Sequence, residues 1–266
     1  VNNDLLEYYR DTYFSSELPI PFHLKDEHLI YINPIKVRDY PIYSSSIGLL
    51  MIDKNKISDV RIINMSYLRF LYELVHYKDD KDKEKKDNMQ MLLNVLILSL
   101  GEQYNYIINI NEKDKAELIL KRKKDGEKIT VTSKEFDQIK SIILYYNDDD
   151  YDDRYISDDL QKAMENYYRA KSKNQYNPTL EDKKCYMISK NGMTIQQINE
   201  MTYRAFNKTF NYALGSELYL SRKILQASEK YKVDDVNHPL FEKHSKFDFL
   251  QDAKQFEETV ASAGKV

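Results

Sequence analysis

Tryptophan is missing from this 266-residue chain, and cysteine occurs once, at Cys185. A single cysteine excludes an internal disulfide framework and every zinc site built on several cysteines. Glycine and proline number only six each. Phosphate-cradling loops and dinucleotide turns need clustered glycines for tight turns and close backbone approach. Here Gly48, Gly101, Gly126, Gly192, Gly215 and Gly264 all stand alone, which excludes nucleotide-binding loops of those kinds. Neither sign of charge is in excess: 40 Lys and Arg face 43 Asp and Glu, a net charge of -3. Such a balance does not describe a nucleic-acid clamp or a polybasic membrane binder. The longest apolar run, MLLNVLILSL at 91–100, falls well short of the roughly 20 residues of a membrane helix. The opening VNNDLLEYYRD has no basic or apolar leader pattern, so no secretory signal is expected there.

What is present is a chain able to fold. Hydrophobic residues make up 42% and charged ones 31%, enough for a core beneath a charged surface. Tyrosine is unusually frequent, at 23 residues. Together with abundant Lys, Asn and Ile, whose codons are AT-rich, this points to a low-GC bacterium or a virus of one.

The hydrophobic pattern predicts a mainly helical α+β fold. A helix over Asp4–Phe14 leads into an extended arm that Pro19 and Pro21 enforce. In HLIYINPIKV a strand alternates Leu29 and Tyr31 against Ile30 and Ile32 and stops at Pro34. Short and longer helices are predicted over Ser44–Met51 and 63–77, the second with Ile63, Tyr67, Phe70, Leu71 and Leu74 on one stripe. The run KDDKDKEKKD at 78–87 contains no apolar residue and reads as a linker or solvated helix extension. The following apolar helix should stop at Gly101. Residues 104–131 read as a three-stranded antiparallel meander, with Asp125-Gly126 as a type I′ turn. Its basic tip, KRKK at 121–124, reads as a solvated turn. Capping boxes at Thr132–Glu135 and Thr194–Gln197 open two helices of the C-terminal half. Further helices are expected over Asp158–Lys171, from Pro178-Thr179 to Asn191-Gly192, and at the C-terminus, and Gly215-Ser216 should divide the long one after Thr194. The expected organisation is an N-terminal helix and arm (1–25), an α+β domain (26–131) and a helical domain (132–266).

Few residues invite catalytic chemistry. His23, His28, His76, His238 and His244 form no metal-ligand spacing on a helix. No nucleophile elbow is present, and Cys185 reads as a core or semi-buried residue of a helix. The loop at 147–159 holds seven Asp against one Arg, a local charge of -6 that leaves +3 for the rest. Asp148, Asp150, Asp152 and Asp159 fall at positions 1, 3, 5 and 12 of an EF-hand loop. Asp153 stands where the sharp turn needs glycine, however, and Asp159 is shorter than the usual bidentate Glu. The loop is therefore read as solvated, with no metal or other cofactor expected. The pairs Tyr8-Tyr9, Tyr145-Tyr146 and Tyr167-Tyr168 each place at least one amphipathic ring near a helix surface, where a protein partner can stack on it.

Two segments, ITVTSKEFDQIKSIILYYNDDDYDD and GMTIQQINEMTYRAFNKTFNYA, resemble tail assembly chaperones of phages that infect low-GC Gram-positive bacteria. The first carries the EFDxIxxIIL helix and the Asn- and Asp-rich loop. In the second, Met201, Thr202, Arg204 and Phe206 match the family's Met-Thr-x-Arg-x-Phe pattern. The resemblance implies a non-enzymatic morphogenesis protein that binds tape-measure and tail-tube proteins in the host cytoplasm during infection. A structural role in the virion, in tail, collar or baseplate, is the alternative. Candidate partner-binding residues are Tyr145, Tyr146, Tyr167, Tyr168, Arg204 and Phe206. Arg204 is expected at the surface, and Phe206 with Phe210 in the core or a partner groove. Neither nucleic acid nor membrane is an expected partner, and self-association is compatible with the sequence.

Overall fold

Alternation of apolar and polar residues builds the first sheet. The computed structural model describes residues 8–76, 82–111, 115–148, 151, 166 and 178–228. In it, β1 (Ile20–His23) pairs antiparallel with β2 (Leu29–Ile32). Ile20, Ile30 and Ile32 are fully buried while Leu29 and Tyr31 face outward, as the period of two requires. Pro21 is tolerated because a two-stranded ribbon consists of edges.

Five α-helices follow among the described residues. They are α1 (Tyr40–Ser46), α2 (Gly48–Met51), α3 (Val60–Asn64), α4 (Tyr67–His76) and α5 (Asp82–Leu100). The helix expected from Ile63 onward begins instead at Tyr67. Met65 is extended and interrupts the helical pattern, which leaves Ile63 on α3 and partly exposed. On α4, Tyr67, Leu68, Phe70, Leu71 and Val75 are buried, and the Tyr67 hydroxyl donates to the Leu49 carbonyl at 2.6 Å. The charged run is helical from Asp82 on, as an extension of α5. Gly101, with φ 104°, ends that helix in a conformation a side chain would oppose.

The meander is observed as β3 (Tyr104–Ile110), β4 (Ala116–Arg122) and β5 (Lys128–Thr132), ordered β3-β4-β5. The turn between β4 and β5 is not type I′. Only Gly126 has positive φ, and Arg122 still pairs with Glu127, so the turn spans Lys123 to Gly126. The Gly126 amide closes it by donating to the Arg122 carbonyl at 2.9 Å. Arg122 is ion-paired to Asp125 and Glu127, which offsets charge at the basic tip.

Helix α6 (Ser133–Asn147) begins with the expected capping box at Thr132 and Glu135. Its Phe136, Ile139, Ile142 and Ile143 share one core with Leu118, Leu120, Ile129 and Val131 of the sheet and Leu68 and Leu71 of α4. The chain divides into two compact units: Val1–Tyr151 with Thr194–Phe206, and Asp152–Met193 with Asn207–Val266. Thus α6, expected to open a separate helical domain at 132, belongs to the core of the first unit.

Later helices among the described residues include α7 (Leu180–Asn191), α8 (Ile195–Glu200) and α9 (Tyr203–Ala227). Thr179 with Asp182 and Thr194 with Gln197 form reciprocal capping boxes, and Gly192 ends α7 in the left-handed conformation. The long stretch breaks at Met201-Thr202, and α9 runs through Gly215 without interruption. One glycine costs only about 1 kcal/mol in a helix, less than the neighbouring turns supply. The fold is α+β with helix predominating and two small antiparallel sheets. Among the described residues, no helix is long and apolar enough to cross a membrane.

Candidate functional site

The Met-Thr-x-Arg-x-Phe segment is an internal strap of the first unit. The Val37 amide donates to the Met201 carbonyl at 3.0 Å, and the Tyr203 amide donates to the Ile35 carbonyl at 2.7 Å, flanking a Lys36–Thr202 bridge. Glu17, itself in the left-handed region at φ 58°, accepts the Thr202 amide at 3.0 Å. Glu200 pairs with Lys36 and Arg38, and the Tyr203 ring stacks on Tyr40 with centroids 3.4 Å apart.

Arg204 is buried at 6% exposure, which corrects its expected surface position. Its guanidinium donates to the Tyr145 carbonyl at 2.8 Å and lies over the Phe14 ring, 5.0 Å from the centroid. Tyr145 is in the last turn of α6, whose carbonyls have no partner within the helix, so a buried cation there complements the helix C-terminus. Phe206 is fully buried and therefore interior.

The tyrosine pairs divide between surface and core. Tyr8 is exposed and Tyr9 buried. Tyr145 is half-buried and meets Tyr151 edge to face at 4.9 Å. Tyr146 is fully buried and stacks on Phe14 at 4.6 Å, and its hydroxyl lies 2.8 Å from the Leu18 carbonyl and 3.2 Å from that of Tyr13. Burial pushes the Tyr146 phenol well above its ordinary range, so it stays a neutral donor. Next to it, Asn147 accepts the Ile35 amide and donates to the Ile143 carbonyl, both at 2.8 Å. Tyr146, Arg204 and Phe206 thus hold the fold and present no side-chain surface to a partner. Tyr167 and Tyr168 lie outside the described residues, as do the helix expected at 158–171 and the C-terminal helix.

Of the acidic set, Asp148 is exposed, while Asp150, Asp152 and Asp159 lie outside the described residues. Among the described residues, no group of three or more His, Cys, Asp or Glu is placed to hold a metal ion. Cys185, expected to be at least semi-buried, is exposed on α7. Met187 is buried on that helix, and Cys185, two residues earlier and so about 200° round the helix, points outward.

The surface that stands out was not singled out in the sequence. In the second unit, α7 packs along α9 from Asn207 to Glu217. Lys183 donates to Asn207 at 2.9 Å, Tyr186 packs edge-on against Phe210 at 5.4 Å, and Glu217 accepts from the Tyr186 hydroxyl and pairs with Lys190. Burial in this contact lowers the Lys183 pKa. Helix α7 is 12 residues long and α9 is 25, so among the described residues the apolar side of α9 outlasts its cover. Beyond Glu217, Leu218, Leu220, Ile224 and Leu225 are exposed, Ile224 at 70%. The spacing Leu214, Leu218, Leu225 is a helical one, legible once α9 is known to continue through Gly215. Isolated exposed leucines are ordinary, but several on adjoining turns form an apolar patch of the kind that partners cover. Comparison with protein-family models, with curated proteins and with solved structures finds no match to this chain.

Proposed function

We propose that this protein is a non-enzymatic assembly factor of a phage tail, a chaperone that binds tape-measure and tail-tube proteins before they polymerise. It acts in the cytoplasm of the bacterial host during infection. The observation that carries the reading is the uncovered apolar side of α9 beyond Glu217. A protein that holds a polymerising subunit must offer apolar surface to the contacts that subunit will later make with its neighbours, and it needs no reaction pocket. The resemblance of residues 129–153 and 192–213 to tail assembly chaperones supports the same reading and names the partners.

Co-expression with the tape-measure and tail-tube proteins of the same phage tests this directly. The chain should co-elute with at least one of them in size-exclusion chromatography. Leu218→Glu combined with Ile224→Glu should weaken that association about tenfold or more while leaving the helical circular dichroism unchanged. Independent elution of the chain and both candidates would overturn the proposal, as would full retention of binding by the double variant.

A further inference from the structure

A second interaction surface lies in the first unit, and it stands independently of the tail-assembly reading. We propose that the outer edge of β3 and the cavity beside it receive an extended, uncharged segment of another protein by strand addition.

The hydrogen-bond parity of the sheet defines this edge. The Asn111 amide donates to the Lys115 carbonyl and the Lys123 amide to the Gln103 carbonyl, so odd-numbered residues of β3 bond to β4. The amides and carbonyls of Tyr104, Tyr106, Ile108 and Ile110 then point away from β4. They have no backbone partner among the described residues. An unpaired row of this kind is a template for another strand, and proteins ordinarily guard it with Lys, Pro or a bulge. In YNYIINI there is no charge and no proline, and its register with β4 is uninterrupted over all seven residues. By contrast β5, the other edge of this sheet, is five residues long and begins with an exposed lysine.

The cavity sits on the helix side of the same edge. It measures about 140 Å³ and is walled by Val75 of α4, Met89, Leu92 and Leu96 of α5, and Tyr106 and Ile108 of β3. A strand added to β3 would place alternate side chains on this side, one of them at the cavity mouth. The volume suits one large aliphatic or benzene-sized group. Among the described residues no Asp, Glu, Lys or Arg lines the cavity, and His76, which does, has Nδ1 turned to the Tyr72 carbonyl at 2.9 Å, so an ionised residue entering it would lose its hydration without compensation. Charge complementarity therefore selects a neutral apolar residue within a neutral strand.

A second copy of this chain is the poorer occupant. Pairing β3 with another β3 would offer the cavity only Tyr or Ile side chains already committed to their own core. The Tyr106 hydroxyl is bonded to the Gly101 carbonyl of its own chain, and Ile108 packs against its own hydrophobic cluster. A segment not already folded into a core has a free side chain to insert.

Selection from a displayed library of random short peptides on the full-length immobilised chain tests the assignment. Enriched sequences should be uncharged, with large apolar residues at alternate positions, and a synthetic consensus peptide should bind in solution. N-methylation of the peptide amides facing β3 should weaken binding about tenfold or more, because each lost hydrogen bond is replaced by a buried unpaired carbonyl. Met89→Lys, which charges the cavity at a half-buried position, should weaken it similarly. Selection of peptides with helical apolar spacing, or indifference to N-methylation, would overturn the proposal. So would the absence of any enriched sequence, or a β3-linked dimer in sedimentation that the peptide does not dissociate.

Discussion

Arg204 shows how a residue can match a surface pattern and serve the interior. Its aliphatic stem and planar head fit between the Phe14 ring and the end of α6, where the Tyr145 carbonyl needs a donor. Arg204→Ala should destabilise the fold by about 2–4 kcal/mol in urea unfolding, through a lost charge-assisted bond and a lost ring contact. Lysine cannot reproduce the planar contact and should recover only part of this. Glu135 holds three donors at once: the Thr132 hydroxyl, the Thr132 amide at 2.8 Å and the Lys25 amide at 2.8 Å. Burial pushes its carboxyl up, but these hydrogen bonds outweigh it and hold the group below the usual carboxylate range. Its contribution to stability is present above the unfolded-state pKa and disappears as pH falls through the folded one. Glu135→Ala should cost about 2–3 kcal/mol and flatten the acid limb of a plot of melting temperature against pH. His28 behaves in the opposite sense. Asp26 at 3.1 Å and Glu127 at 3.3 Å flank the ring and raise its pKa above 6.5, Asp26 being the larger influence and burial opposing both. Stability from this cluster is fully present below the unfolded-state pKa and is lost as pH rises through the folded one. The melting temperature of the protein should therefore decline as pH rises through the folded-state pKa of His28, and His28→Gln should remove that decline.

At the scale of elements, what the sequence revealed was local. The capping boxes at Thr132 and Thr194 were legible because a hydroxyl and its partner three residues on satisfy the free amides with no help from the rest of the chain. Strand periodicity in β2 to β5 was legible because one face of each strand meets the core. The strap at Met201-Thr202 was not. The helix stops there because backbone groups of Ile35 and Val37, some 165 residues earlier, take its hydrogen bonds, and no nearby residue reports that. For the same reason Gly215 proved a poor marker of a break, since the helical turns on both sides outweigh its weak propensity. The candidate surfaces followed this division. Of the candidate partner-binding residues, Tyr146, Arg204 and Phe206 were taken into the core, and the apolar side of α9 became visible only when the reach of α7 was known. Because α9 carries its exposed leucines beyond Glu217, Leu220→Lys with Leu225→Lys should leave the unfolding free energy within about 0.5 kcal/mol of the parent's. The same pair should raise solubility at high concentration, measured by light scattering. A marked loss of stability would show that these leucines are covered within the protein.

At the scale of the whole molecule, a net charge of -3 on 266 residues leaves no strong field to steer a polyanion, and association falls to apolar surface and hydrogen-bonding edges. The two proposed surfaces differ in what they can hold: α9 offers a helical apolar stripe, and β3 offers backbone groups with one side-chain cavity. A chaperone that releases its cargo as the tail forms must be present with tail proteins inside the cell and absent from the finished particle. Quantitative mass spectrometry of purified virions, alongside complexes from the infected-cell lysate, measures both in one experiment. The chain should be found in the lysate with tape-measure or tail-tube protein and should be absent from virions. Its presence in virions at a fixed copy number would contradict the account and identify a structural component of the tail, collar or baseplate.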